Sequence, residues 1–120
     1  MTQIATTLSQ SQKLIEMGID PSTADMCWRF WRHQDSAEYV LMAYTAKYVD
    51  DTPAWSLSAL MELLPKNKIE EVSICPVGYD FGWYYVEKWF CTSTSCTTIS
   101  ESLIDAVFEM VVKLKEKGVI

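Results

Sequence analysis

The chain has 120 residues, of which 49% are hydrophobic and 22% are charged, a composition that is typical of a folded globular protein and excludes intrinsic disorder. A chain of this length holds one hydrophobic core, so we expect a single domain over residues 1–120. The net charge of −6 opposes binding to a phosphate backbone, and we therefore expect no nucleic-acid partner.

The first twenty residues contain no basic segment followed by an apolar run, which an export signal would need. The longest apolar run, residues 39–44, is too short to cross a bilayer. We therefore expect a cytoplasmic protein with no membrane partner, in which cysteines stay reduced. Disulfides are the alternative for four cysteines, and zinc is another, but the spacings do not match the usual zinc motifs. We predict no metal, no cofactor and four free thiols, at Cys27, Cys75, Cys91 and Cys96.

The first predicted element is a helix over residues 8–17. Thr7 and Gln10 have the spacing of a capping box, in which each side chain satisfies a backbone N–H group at the helix start. Gly18 suits the left-handed conformation that ends many helices, and Ile19 can fold back against the last turn. Asp20 and Pro21 then begin a turn.

An antiparallel hairpin is predicted next. Residues 26–31 alternate in a period of two, which indicates a strand, and residues 32–36 are polar and short enough to form the connecting loop. Residues 38–48 are rich in Tyr, Val and Leu and predict a long second strand. Residues 50–53 then break this strand, because two aspartates and a proline favour a turn.

A short helix and a third strand are predicted in the middle of the chain. Ser56 stands at the N-cap position of a helix over residues 57–64, which Pro65 ends. Residues 70–75 alternate as a strand. Pro76 lacks the N–H group that a ladder requires, so this strand either ends at Cys75 or lies at a sheet edge.

Residues 79–90 hold nearly half of the aromatic side chains of the chain. This density predicts a strand over residues 82–90, followed by a polar turn over 92–95 and a short fifth strand over 96–99. The alternation of a strand places Trp83, Tyr85, Glu87 and Trp89 on one face.

The last predicted element is an amphipathic helix that starts at Leu103 and stops at Gly118, with acidic residues early and lysines late, as the helix dipole favours. The order of elements is therefore helix, strand, strand, helix, strand, strand, helix. It predicts an α+β fold with three helices and one twisted antiparallel sheet of four to five strands.

Three stretches of the chain carry a resemblance: LSQSQKL at residues 8–14 leading to MGID at 17–20, PAWSLSALMELLP at 53–65, and DAVFEM at 105–110 with GVI at 118–120. Together they resemble small uncharacterised proteins of gut bacteria of the Bacteroides type and of their phages. The resemblance implies a cytoplasmic accessory protein encoded by a phage or another mobile element, and it brings no catalytic residue.

Two functional interpretations remain open. The first is a non-catalytic module that self-associates or binds a protein partner through the aromatic face of Trp83, Tyr85 and Trp89, with Glu87 at its rim, because large aromatic rings are enriched at interfaces. The alternative is a small enzyme or ligand binder with a pocket between sheet and helices. Its polar groups would be Arg32, His33 and Asp35 of the hairpin loop, although no nucleophile motif accompanies them.

Overall fold

The structure is a computed structural model that describes residues 3–32, 35–65, 73–77, 88–93, 97–100 and 102–120, with only the backbone at 75–77 and 88–90. The described residues confirm an α+β fold with three α-helices: α1 (Leu8–Glu16), α2 (Leu57–Glu62) and α3 (Leu103–Glu116). The strands, in chain order, are β1 (Met26–Arg32), β2 (Ala37–Met42), β3 (Thr52–Ala54), β4 (Ser73–Val77), β5 (Lys88–Thr92) and β6 (Thr97–Ser100). A short 3-10 turn, Pro21–Thr23, precedes β1.

The strands form two antiparallel sheets of three strands each, in the orders β2-β1-β3 and β4-β5-β6. The prediction of one sheet of four to five strands is therefore wrong. The first sheet is separate because β3 takes the place beside β1 that a strand of the second half would need. β3 pairs with β1 on the side opposite β2, from Met26 opposite Ala54 to Trp28 opposite Thr52. Both edges of β1 are thus occupied by strands from the first half of the chain.

The segment that forms β3 was predicted to be a break. Pro53 is compatible with this strand because β3 lies at the edge of its sheet, where a missing N–H group need not interrupt the ladder. Strand β2 also ends earlier than predicted, at Met42 rather than at residue 48. The chain after Met42 turns to meet Arg29, through contacts that a strand pattern does not reveal.

The second sheet agrees more closely with the sequence. Strand β4 continues through Pro76 to Val77 and lies at an edge, which is the second of the two alternatives stated for it. β5 includes Thr92, which was assigned to a turn, and β6 lies one residue later than predicted. The predicted strand residues 82–87 lie outside the described residues.

The helix ends follow the sequence signals. Both bonds of the predicted capping box are present, with Gln10 N–H donating to Thr7 Oγ1 at 3.2 Å and Thr7 N–H donating to Gln10 Oε1 at 2.9 Å. Gly18 has a φ of +90°, and Ile19 N–H donates to the Leu14 carbonyl at 3.0 Å. This pattern of bonds is a Schellman motif, and it carries Ile19 back into the core.

The hydrophobic core is shared by elements from both halves of the chain. Helix α3 packs against α2, β5 and β6, and α1 packs against β3. Trp55, which follows β3, is completely buried, and its indole N–H donates to Thr23 Oγ1 at 2.9 Å. The main buried side chains are Leu14, Ile19, Trp55, Leu60, Cys91, Ile104, Val107, Met110, Val111 and Leu114.

Thr6 is a buried polar residue at the junction of the N-terminal segment with β1 and α2. Its backbone N–H donates to the Trp55 carbonyl at 2.8 Å, and its hydroxyl accepts from Trp55 N–H at 3.0 Å and bonds the Ser11 hydroxyl at 2.8 Å. Its carbonyl accepts from the Trp28 indole N–H at 2.9 Å. These bonds fix β1 and the entry into α2 against the start of α1.

Candidate functional site

The β1–β2 hairpin is buried at its base and exposed towards its loop. At the base, Cys27 is completely buried. Beyond Arg29 the exposure changes, and each described residue from Phe30 to Arg32 and from Asp35 to Tyr39 is exposed. We call these residues, 30–32 and 35–39, the hairpin arm. Because both of its faces are exposed, the arm extends beyond the core that supports the base.

Three large aromatic side chains lie on the arm. Phe30, Trp31 and Tyr39 are 41%, 45% and 46% exposed. Phe30 and Tyr39 are cross-strand partners, and their rings meet edge to face with centroids 5.2 Å apart. Such a pair contributes about 0.5–1.5 kcal/mol beyond burial. Trp31 lies on the opposite face, beside Glu38. The two faces of the arm therefore both present aromatic surface.

The base of the arm is held by a cluster around Arg29, which we call the arginine cluster. Arg29 Nε and Nη2 donate to Asp51 Oδ1 and Oδ2 at 3.0 and 2.9 Å. Its guanidinium lies over the rings of Tyr44 and Tyr48, at 5.2 and 4.6 Å from the centroids. The ammonium of Lys47 lies 4.5 Å from the Tyr44 ring. Cation–π contacts of this kind add to the ion pair.

Asp51 also closes the loop that follows β2. The backbone N–H groups of Lys47 and Tyr48 donate to Asp51 Oδ2 at 2.9 and 3.1 Å. The hydrogen bonds from Arg29, and secondarily those from the two amides, lower the pKa of Asp51 from its ordinary value, while burial opposes this effect. The same pairing raises the pKa of Arg29. Asp51 is therefore charged at neutral pH, and its bonds hold residues 47 and 48 in a turn where the sequence predicted the end of a long strand.

Cys27 lies in the same part of the sheet, and its thiol is not activated. Burial raises the pKa of Cys27, and the charge of Asp51 raises it further. Reactive cysteines need the opposite shift, towards the thiolate. The Cys27 side chain therefore contributes to packing in the core and is not a reactive thiol.

The predicted site residues lie in different places. Arg32 and Asp35 are exposed at the end of the arm, and the Arg32 guanidinium lies 5.9 Å from the Phe30 ring centroid. His33, Trp83, Tyr85 and Glu87 lie outside the described residues. Trp89 lies in β5, where its backbone is paired with Pro76 and Ser100. The aromatic face centred on Trp83, Tyr85 and Trp89 stays a prediction.

An open groove of about 500 Å³ lies between α1 and the start of β3, lined by Gln12, Ile15, Glu16, Asp51 and Thr52. Arg32 and Asp35, which the sequence assigned to a pocket between sheet and helices, do not line this groove. Two carboxylates line it among the described residues, Glu16 of α1 and Asp51 of the loop before β3, and Asp51 is occupied by Arg29 and by two backbone amides. The Asp51 carboxylate is therefore not available as a base or a ligand. In the described part of the chain, no group of His, Cys, Asp and Glu side chains has the arrangement of a metal site.

Sequence reasoning missed the arm and the arginine cluster for different reasons. The exposed rings belong to strand residues that follow the ordinary two-residue alternation of side chains. This alternation does not show how far a hairpin extends beyond the hydrophobic core. Arg29 and Asp51 are separated by a loop and a strand, so their pairing leaves no local signal. The one available hint was a proline-flanked pair of aspartates, which is typical of turns.

Comparisons of the chain with protein family models, with curated proteins and with solved structures give no match. Among the described helices, none has both the length and the hydropathy that a bilayer span requires.

Proposed function

We propose that this protein is a non-catalytic interaction module that binds a protein through the hairpin arm. The observation that carries the proposal is the exposure of Phe30, Trp31 and Tyr39 together on one short hairpin. Aromatic rings and arginine are enriched in the energetically dominant parts of protein interfaces. The arm also brings Arg32, whose guanidinium lies on the face of Phe30.

The arm is suited to binding because its base is rigid. Cys27 is buried between β2 and β3, and the bidentate pair of Arg29 and Asp51 fixes the loop after β2. A binding surface that is ordered before association loses less conformational entropy when the complex forms. The arginine cluster thus has a supporting role in this proposal, and the exposed rings make the contact.

The proposal places the protein among accessory proteins rather than enzymes. The proposal includes the role that the resemblance of three sequence stretches implied, an accessory protein encoded by a phage or another mobile element. The alternative, a small enzyme or ligand binder with a pocket between sheet and helices, has less support because Asp51, which lines the groove beside α1, already accepts hydrogen bonds from Arg29 and from a backbone amide.

A paired-variant experiment tests the proposal. The double variant Phe30→Ser/Tyr39→Ser removes two rings of the arm, and Ile99→Ser removes a side chain that is 50% exposed on β6. Tagged chains are expressed in a bacterial host, and the proteins that co-purify are quantified by mass spectrometry. We expect the double variant to lose a protein that both the wild type and the Ile99→Ser variant retain.

A measurement of whether the double variant is folded decides how a loss of partner binding is interpreted. The two rings are 41% and 46% exposed, and the loss of their pair, about 0.5–1.5 kcal/mol, is small beside the stability of a typical domain, about 5–15 kcal/mol, so the double variant should remain folded. Equal recovery of every protein by wild type and double variant would contradict the proposal, and so would unfolding of the double variant.

A further inference from the structure

Strand β2 forms the outer edge of the first sheet. Within the described ranges it pairs with β1 and with no other strand. An edge strand presents a row of backbone N–H and C=O groups that can continue the sheet with another chain. Its exposed end is the arm, with Ala37, Glu38 and Tyr39. Among the strands that the structure describes, this edge has no partner, and it carries part of the aromatic surface.

We infer that the partner of the arm is a second copy of this chain, which pairs its own β2 antiparallel with this β2. The inference rests on the proposed function and specifies its partner. An antiparallel pair of identical strands has a twofold axis perpendicular to the sheet, which is the commonest symmetry of homo-oligomers. Rotation about this axis leaves every side chain on the same face of the sheet. The axis passes beside one residue, which therefore lies opposite the same residue of the second copy.

Tyr39 is the residue that the axis passes. In this register Tyr39 faces Tyr39 of the second copy, and each of these rings already contacts a Phe30 ring at 5.2 Å. The result is a continuous row of four aromatic rings across the two sheets. Cross-strand aromatic pairs are among the side-chain pairs that stabilise antiparallel sheets. The row covers the exposed surface of both arms on this face.

Charge complementarity supports the same register on the opposite face. Glu38 then lies beside Val40 of the second copy, whose neighbour across the ladder is Arg29. The arginine cluster there also holds Lys47, whose ammonium lies 4.5 Å from the Tyr44 ring. Because Asp51 neutralises Arg29, Lys47 supplies the unbalanced positive charge of that cluster. The twofold axis brings Glu38 of each copy towards the arginine cluster that holds Lys47 of the other, so this contact occurs twice in the dimer.

A mixing experiment with charge-reversed variants tests this arrangement. Glu38→Lys and Lys47→Glu each place like charges at both contacts of a homodimer, so we expect the dissociation constant of each variant to rise about tenfold. In a one-to-one mixture, the lysine introduced at position 38 meets the glutamate introduced at position 47, and the second contact keeps its native pair. Sedimentation equilibrium should then show a heterodimer close to wild-type affinity.

Rescue by mixing distinguishes a contact between copies from a contact within one chain, which mixing cannot restore. A Tyr39→Cys variant gives a second readout, because the residue on the axis should form a disulfide between copies under mild oxidation, whereas Ile99→Cys should not. A wild type that stays monomeric, a dimer that the two reversals leave unchanged, or the absence of the 39–39 disulfide would overturn the inference. If the arm variants still lose another protein while the chain is monomeric, the inference fails and the proposed function stands.

Discussion

Arg29 and Asp51 form a bidentate ion pair in which the two nitrogen–oxygen distances are 3.0 and 2.9 Å. Planar pairs of this kind are stronger than single contacts because two parallel bonds share one geometry. Asp51 accepts in addition from the N–H groups of Lys47 and Tyr48. One carboxylate therefore connects the middle of β1 to the loop that leads from β2 to β3, and it sets the position of the arm.

The first prediction concerns this carboxylate. Asp51→Asn keeps the shape of the side chain but removes its charge and leaves Arg29 without its counter-ion, so we expect a loss of about 2 kcal/mol in the free energy of unfolding. Asp50→Asn is the matched control, since Asp50 is the exposed neighbour. Denaturant titration measures both variants. An equal cost for the two variants would show that the ion pair contributes nothing to stability.

The same pair predicts a pH dependence. Because hydrogen bonding to Arg29 lowers the pKa of Asp51 in the folded state, its contribution is fully present above the pKa of an unfolded aspartate, about 3.9. It is lost progressively as the pH falls below that value towards the lower pKa of the folded state. Wild type should therefore lose stability more steeply than the Asp51→Asn variant below about pH 4. Parallel curves for the two proteins would contradict this assignment.

The sequence predicted the elements whose signals are local. The capping box at Thr7 and Gln10, the stop at Gly18 and the amphipathic pattern of α3 depend on residues within a few positions of one another, and the β1–β2 pairing depends on two alternating segments joined by one short loop. Local hydrogen bonds and side-chain periodicity determine these features, so a single sequence contains them.

The division into two sheets could not be predicted in the same way. It depends on the pairing of the short strand β3 with β1, across a loop whose course is set by Asp51 and Arg29. A strand of three residues with a proline at its centre has no period to detect, and the ion pair joins residues far apart in sequence. The arm could likewise not be predicted from the sequence, because the exposure of Phe30 and Tyr39 depends on where the core ends.

A second prediction tests the core. Trp55 is completely buried and donates its indole N–H to Thr23. Trp55→Phe removes this bond and leaves space in the core, so we expect a loss of about 2 kcal/mol. Trp31→Phe, on the exposed arm, should cost no more than about 0.5 kcal/mol. Denaturant titration measures both costs, and a larger effect at position 31 would mean that the arm belongs to the core.

A third prediction concerns the end of α3. Gly118 has a φ of +76°, and an added Cβ atom would meet no other atom within 4 Å. The cost of Gly118→Ala is therefore that of the left-handed backbone alone, about 1 kcal/mol. Glu116→Ala, at the exposed last residue of α3, is the control. The Gly118 and Val119 N–H groups donate to the carbonyls of Lys115 and Leu114 at 3.1 and 2.9 Å, which is a Schellman ending like that of α1. Thermal unfolding should show a lower midpoint for the glycine variant only, and an unchanged midpoint would contradict this ending.

A fourth prediction concerns the thiols. The chain has four cysteines, and we expect all four to react with a thiol reagent when the protein is unfolded without reductant. In the folded protein, Cys27 and Cys91 should react slowly because both are buried. A count of two or zero in the unfolded protein would show that disulfides are present.

Photo-crosslinking in cells tests the central claim most directly, since it detects a partner on the arm without assuming its identity. A photoreactive phenylalanine analogue replaces Tyr39 in one variant and Ile99 in another, two apolar side chains of similar exposure on different sheets. The account predicts covalent adducts with protein, either a second copy or another chain, at position 39 and few at position 99. No adduct at position 39, or the same adducts in equal yield at both positions, would contradict the assignment of the hairpin arm as the binding surface.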